Sequence, residues 1–69
     1  MEAVIDDVWE RNDGRNVVTV RIIDRARDEN DAWHVRVSQI GPVNQRWWLR
    51  EQSLFARYRQ VVGSESAAT

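Results

Sequence analysis

The chain has 69 residues and a formal net charge of −1, and it contains one histidine and no cysteine. A chain this short forms one domain that buries only about 60% of its unfolded surface, and disulfides are excluded. The lone His34 argues against a metal centre, and the near-neutral charge argues against a strong non-specific nucleic-acid binder, for which a basic domain is expected. We therefore expect an aromatic-rich core or self-association to stabilise the fold, and no cofactor.

The N-terminal sequence "MEAVIDDVWE", 1–10, is acidic and lacks the basic and apolar regions of a signal peptide. No apolar run in the chain approaches the roughly 20 residues that a membrane helix needs. These features predict a soluble, cytoplasmic protein without a membrane partner.

The first half of the chain predicts an irregular strand followed by a regular one. "AVIDDVWE", 3–10, is interrupted by two aspartates, and "NDG", 12–14, is a turn signal because Asp-Gly supports positive φ. "NVVTVRII", 16–23, is rich in β-branched residues and predicts a strand. The charged stretch "DRARDEND", 24–31, predicts a loop. One face of the second strand is apolar and carries Val18, Val20 and Ile22.

A third strand is predicted over "AWHVRVSQI", 32–40, where Trp33 begins the apolar alternation. "GPVN", 41–44, ends that strand, since Gly is permissive and Pro lacks a backbone donor. In a domain this small, several aromatic residues are needed to fill the interior. We therefore expect both Trp9 and Trp33 to lie in the core.

The segment "QRWWLR", 45–50, predicts a fourth strand with two adjacent tryptophans. Successive side chains of a strand point to opposite faces. Leu49 is the natural core residue and shares its face with Trp47. The sequence therefore places Trp47 inside and Trp48 outside.

The segment "EQSLFARYRQVVG", 51–63, allows two structures. Leu54 and Tyr58 have helical spacing, and the glycine at its end would cap a helix over about 51–62. The alternative is a single 3₁₀ turn followed by a short closing strand. We expect one domain over 1–63 and a disordered polar tail over 64–69.

This order of elements resembles an Src-homology-3-like (SH3-like) barrel, in which a 3₁₀ turn precedes the fifth strand. A second resemblance is carried by Trp9, Asn12, Asp13, Arg15, Val18, Val20, Leu54, Tyr58, Arg59 and Val61. At these positions the chain resembles a group of short proteins from actinobacteria and their phages. The resemblance implies an all-β fold, a small five-stranded SH3-like barrel, and no particular activity. The alternative fold is a β-meander with a C-terminal helix.

No catalytic constellation is found in the sequence. His34 and Ser38 share a strand face but lie four residues apart, on the order of 13 Å along a strand, which is too far for a nucleophile and its base. The acidic stretch "DEND", 28–31, lacks the central glycine and terminal glutamate of a calcium loop. We expect no enzymatic activity and no small-molecule substrate.

The outward positions of the predicted strands suggest a binding surface on which no acid points outward. Tryptophan and arginine are enriched at the energetic centres of protein interfaces, which favours a protein partner or self-association. Stacking of bases on tryptophan with arginine at phosphate is the alternative, a nucleic-acid surface. A purely structural role, with Trp48 packed and the arginines paired to acids, is the third interpretation. The predicted binding residues are Arg21, His34, Arg36, Arg46, Trp48 and Arg50.

Overall fold

The computed structural model describes residues 2–61, which form five strands and one short helix. The predicted all-β class is confirmed. The predicted end of the domain at 63 and the tail at 64–69 lie outside the described residues. The elements in chain order are β1 (Val8–Asn12), β2 (Val17–Arg27), β3 (Trp33–Ile40), β4 (Arg46–Arg50), α1 (Glu51–Arg57) and β5 (Arg59–Gln60).

All five strands belong to one antiparallel sheet with the order β4-β3-β2-β1-β5. The long β2 is central and pairs with β1 on one side and β3 on the other. In residues 2–61 no strand pairing joins the edge strands β4 and β5. The sheet is therefore open, and the predicted closed barrel is not confirmed.

The first strand begins later than the sequence suggested. Residues 3–7 are not strand, and a turn there is closed by the Asp7 N–H donating to the Val4 carbonyl at 3.1 Å. Asp6 adopts a positive φ of 79° in this turn. The Asp6 N–H donates to the Ile22 carbonyl at 2.8 Å, and this bond keeps the segment against β2.

The predicted turn at "NDG" is confirmed as the connection between β1 and β2. The Asp13 N–H donates to the Asn16 carbonyl at 3.1 Å, and the Gly14 N–H donates to Asn12 Oδ1 at 2.9 Å. Gly14 has a φ of 94°, a backbone conformation that residues with a Cβ rarely adopt. The turn therefore depends on glycine for its backbone and on asparagine for a side-chain acceptor.

Replacing Gly14 with alanine is expected to lower the free energy of unfolding by about 1 kcal/mol, the cost of a left-handed residue with a Cβ. A Cβ at this position meets no atom within 4 Å, so steric clash adds nothing. Urea denaturation checks the value. Gly14→Asn should lower the free energy of unfolding by less, because asparagine tolerates positive φ. An equal or larger decrease for the asparagine variant would contradict this explanation.

Strand β2 runs through Arg27, so the loop predicted over 24–31 is wrong in its first half. A β-bulge lies between Ile22 and Asp24, where Ile23 has no partner in β3. A bulge adds one residue to one strand and reverses the alternation of its side chains beyond that point. Arg25 therefore lies on the core-facing side of β2, opposite Val35.

The core consists of side chains from the inner sides of β2 and β3, from β1 and from α1. Its fully buried members are Val20, Ile22, Val35, Val37 and Leu54, and Ala3, Trp9 and Tyr58 complete it. The prediction that Trp9 is a core residue is confirmed, since 5% of it is exposed and its ring lies 5.5 Å from that of Phe55.

The prediction that Trp33 is a core residue is wrong. Trp33 is 37% exposed, because it lies at the start of β3, beyond the apolar part of the sheet. The Arg25 guanidinium covers its ring at 3.7 Å from the centroid, and the Arg27 guanidinium lies at 5.6 Å. Trp33 therefore supports a cation–π contact.

The C-terminal segment combines parts of both predicted structures. The turn after β4 is a seven-residue α-helix where the sequence predicted a 3₁₀ turn. The helix ends at Arg57, earlier than the alternative helix over 51–62 required. The predicted closing strand follows as β5, which pairs with β1. Leu54 and Tyr58, one helical turn apart, are both buried, as either structure predicted.

Candidate binding face

The six predicted binding residues share the side of β2, β3 and β4 that points away from the core, here called the outer face. The register of the strands gives the position of each residue relative to its neighbours. Arg36 lies opposite Trp48, His34 lies opposite Arg50, and Ser38 lies between Arg21 on β2 and Arg46 on β4. The alternate residues of β3, Val35 and Val37, are fully buried. Three strands that are neighbours in the sheet thus present one continuous surface.

The two adjacent tryptophans of β4 point to opposite faces, as predicted. Trp47 lies opposite Val37 and packs against the core. Trp48 is 47% exposed on the outer face. The local reason is the alternation of the strand, since Leu49 opposite Val35 fixes which side is buried.

Four arginines on the outer face form no ion pair within residues 2–61: Arg21, Arg36, Arg46 and Arg50. The ion pairs that are present involve other cations, namely Arg25, Arg27, His34 and Arg59. A guanidinium carries five donors in a planar fork and stays charged. The outer face therefore offers charged donors that no carboxylate of the described chain occupies.

The prediction that no acid points outward from these strands is wrong. Asp24 lies opposite Arg36, on the outer face, because β2 continues beyond its bulge. Its Oδ1 accepts the Arg25 N–H at 2.8 Å. The carboxylate lies on β2, so the unpaired positive charge of the face is concentrated toward β4.

His34 is held by the carboxylate of Asp28, with 2.8 Å between Nε2 and Oδ2. The other carboxylate oxygen accepts the N–H groups of Asn30 and Ala32 at 2.8 and 3.0 Å. The hydrogen bond from His34, followed by the one from Ala32, holds the pKa of Asp28 below its usual value. His34 is thus a hydrogen-bonded histidine that helps fix the turn before β3.

A shallow recess of about 230 Å³ lies beside Trp48 on the outer face. Its lining is mainly apolar and is formed by Ala26, Arg27, Asp28, His34 and Trp48. The first three of these residues could not be predicted as part of a site, because the charged stretch 24–31 that contains Ala26, Arg27 and Asp28 predicts a loop. The available signal was the turn residues, which cluster at Asp28–Asp31 rather than at Asp24.

A second cluster lies on the other side of the sheet and fixes the helix. The Glu51 carboxylate accepts Arg25 Nε at 2.6 Å and the Ala3 N–H at 3.1 Å, and Glu51 is buried. The bond from Arg25, followed by that from Ala3, lowers the pKa of Glu51. All charged groups in this cluster are paired, so it is a structural contact rather than a binding surface.

A larger recess, about 510 Å³, lies between β1 and the end of α1. It is lined in part by Val17, Tyr58 and two arginines, of which Arg59 is paired with Glu10 at 2.7 Å. Only the other arginine, Arg57, forms no ion pair within residues 2–61, so this recess has fewer unpaired cations than the outer face. It provides a useful comparison surface at the far end of β2.

Within residues 2–61, no group of three or more histidine, cysteine or acidic side chains is placed to hold a metal ion. Over the same residues, no helix combines the length and apolar character needed to cross a membrane.

Comparison with known proteins finds no family model, no curated protein and no solved structure that matches this chain significantly. The resemblance to short actinobacterial and phage proteins therefore stays a prediction.

Proposed function

We propose that the protein is a non-catalytic interaction module that binds a protein partner through its outer face. The observation that carries this proposal is Trp48, which is 47% exposed on a face whose four arginines form no ion pair within residues 2–61. A tryptophan left in water is costly, and covering it is the largest gain that this surface offers a partner.

The composition of the face matches that of a protein interface. Such interfaces have an apolar or aromatic centre and a polar rim, and tryptophan and arginine are enriched at their energetic centres. Here Trp48 is the centre, and Arg36, Arg46 and Arg50 surround it. A second copy of the chain is one form of such a partner, and it would add stability that a small domain without disulfides lacks.

A nucleic-acid surface is the second candidate, favoured by the same four arginines beside an exposed aromatic ring. Two observations weigh against it. The outer face carries one exposed aromatic residue, whereas Trp33 lies on the other side under Arg25. The carboxylate of Asp24 lies on the face, where it would repel phosphate.

The fold and setting of this module are also part of the proposal. The order of strands and the short helix before β5 are compatible with an open variant of the SH3-like fold. A cytoplasmic regulator from a phage or mobile element, acting on a host protein, fits the predicted resemblance. Fold alone does not fix function, so this part rests on analogy.

Affinity capture with the immobilised protein tests the proposal. Trp48→Ala is expected to reduce the retained partner by about thirtyfold, the effect of losing a hot-spot residue worth about 2 kcal/mol. Retention should change little between low and moderate salt if burial of the indole dominates. The readout is the quantity of each retained protein, measured by mass spectrometry.

Val17→Ala is the matched control, because Val17 is 57% exposed and lies at the far end of β2. It should retain the partner as the wild type does. Equal retention by the wild type and the Trp48 variant would contradict the proposal. Retention of nucleic acid in place of protein would favour the second candidate.

A further inference from the structure

The recess beside Trp48 indicates what the partner presents. We propose that it receives one aromatic or large aliphatic side chain from an extended, acidic segment of the partner. This inference rests on the proposed function and adds the chemistry of the bound segment.

The size of the recess favours a single side chain. Its volume of about 230 Å³ is below the range of roughly 300–1,000 Å³ that is usual for small-molecule sites. The walls are formed by Trp48, His34 and Ala26, together with Arg27 and Asp28. An aromatic side chain gains most from such walls, because ring pairs attract beyond the area that they bury.

The carboxylate that lines the recess is already hydrogen-bonded within the chain. Asp28 receives hydrogen bonds from His34 and from two backbone N–H groups. It therefore does not need a cation from the partner, and an apolar side chain covers it without leaving its oxygens unpaired. This argues against a basic anchor such as lysine.

The arginines on β4 define the flanks of the bound segment. Arg46 and Arg50 lie two residues before and after Trp48, about 6.6 Å away along the strand. An extended peptide has the same spacing between side chains two residues apart. Acids two residues before and after the anchor would therefore meet both guanidinium groups, each of which can bind a carboxylate with two parallel bonds.

The position of Asp24 sets where the segment runs. It lies on β2, two strands away from β4, and opposite Arg36. Carboxylates of the partner are repelled from β2 and attracted to β4. The structure therefore favours a segment along β4, with its anchor leaning over β3 into the recess.

Titration of the ¹⁵N-labelled full chain with a synthetic peptide tests this inference. The probe is a nine-residue peptide with a phenylalanine at its centre and glutamates two residues to either side, the other positions being serine and glycine. It should shift the Trp48 indole signal and the backbone amides of His34 and Arg50. Replacing the phenylalanine with alanine, or both glutamates with lysine, should weaken binding at least fivefold.

Variants of the protein distinguish the loss of an arginine charge from a loss of folding. Arg46→Gln and Arg50→Gln should each lower the affinity for the probe peptide by up to about fivefold, as for loss of a solvent-exposed ion pair. Arg15→Gln is the matched control, since Arg15 lies in the exposed turn between β1 and β2, and it should bind the probe as the wild type does. The thermal midpoint of each variant checks that it is folded.

The inference is overturned if millimolar probe leaves the Trp48 indole unmoved, or if the lysine version binds as well as the glutamate version. If capture of a partner still depends on Trp48 in that case, the proposed function stands and only the acidic segment is wrong. If a mixed-sequence oligonucleotide binds the same indole more tightly than the probe, both are overturned.

Discussion

Replacing Trp47 with alanine is expected to lower the free energy of unfolding by about 3 kcal/mol, at the low end for loss of a core tryptophan because the side chain is half-buried. Trp47 lies opposite the fully buried Val37 and packs against the core. A domain of 69 residues has a total stability of roughly 3–10 kcal/mol. The variant should therefore lie close to the limit of folding.

The neighbouring substitution Trp48→Ala provides the matched control. The exposed indole on the outer face contributes little to the fold, and we expect a change within about 0.5 kcal/mol. Urea denaturation followed by far-ultraviolet circular dichroism measures both variants without depending on tryptophan fluorescence. If Trp48→Ala were the more destabilised of the two, the assignment of inner and outer faces would be wrong.

Replacing Glu51 with glutamine is expected to cost about 2–3 kcal/mol at neutral pH, the range for a hydrogen bond to a charged group whose partner is left buried. The Glu51 carboxylate accepts Arg25 on both oxygens, at 2.6 and 3.3 Å, and the Ala3 N–H at 3.1 Å. An amide group presents one oxygen and one donor. Whichever way it turns, its NH₂ group faces another donor.

The pH dependence of this contribution follows from the direction of the pKa shift. The bond from Arg25 lowers the pKa of Glu51 in the folded state below its ordinary value of 4.5. The stabilisation is therefore fully present above about pH 4.5 and is lost as the pH falls through the folded-state pKa. The difference between wild type and Glu51→Gln should shrink as the pH falls from 7 toward 3.

Urea midpoints at several pH values measure this convergence. The pKa of Asp28 is also lowered, mainly by its bond to His34. Both the wild type and Glu51→Gln therefore keep some acid sensitivity from Asp28. Asp28→Asn should therefore remove a separate part of the acid dependence. A difference between wild type and Glu51→Gln that stays constant from pH 7 to 3 would mean that the Glu51 charge does not stabilise the fold.

The inner and outer faces of β3 and β4 could be predicted from the sequence because each strand has a regular alternation. Val35 and Val37 identify the buried side of β3, and Leu49 identifies that of β4. These local patterns decide between Trp47 and Trp48 without knowledge of the rest of the fold. The same alternation brings the predicted binding residues onto one face once the strands are neighbours.

The bulge in β2 could not be predicted in the same way. Its single unpartnered residue, Ile23, is as apolar as the residues before it, and the charged residues that follow resemble a loop. The extension of β2 places Asp24 outside and Arg25 inside. The acid on the outer face and most of the recess lining could therefore not be predicted from the local sequence.

Contacts between distant residues decided the remaining differences. Arg25 and Glu51 are 26 positions apart, and their ion pair anchors the start of α1. Arg25 also covers Trp33, which removes the need to bury that indole in the core. Neither contact has a signature in the local sequence.

The most direct test of the outer face is an NMR titration in which the four tryptophan indole signals report the position of binding. We expect the captured protein partner to move the Trp48 indole and the amides of Arg36 and Arg50, and to leave the Val17 amide unchanged. Mixed-sequence single- and double-stranded oligonucleotides at low salt should leave all of these signals in place. Shifts of the Trp48 indole by oligonucleotides at low salt that reverse at high salt would contradict the account and make nucleic acid the ligand of this face.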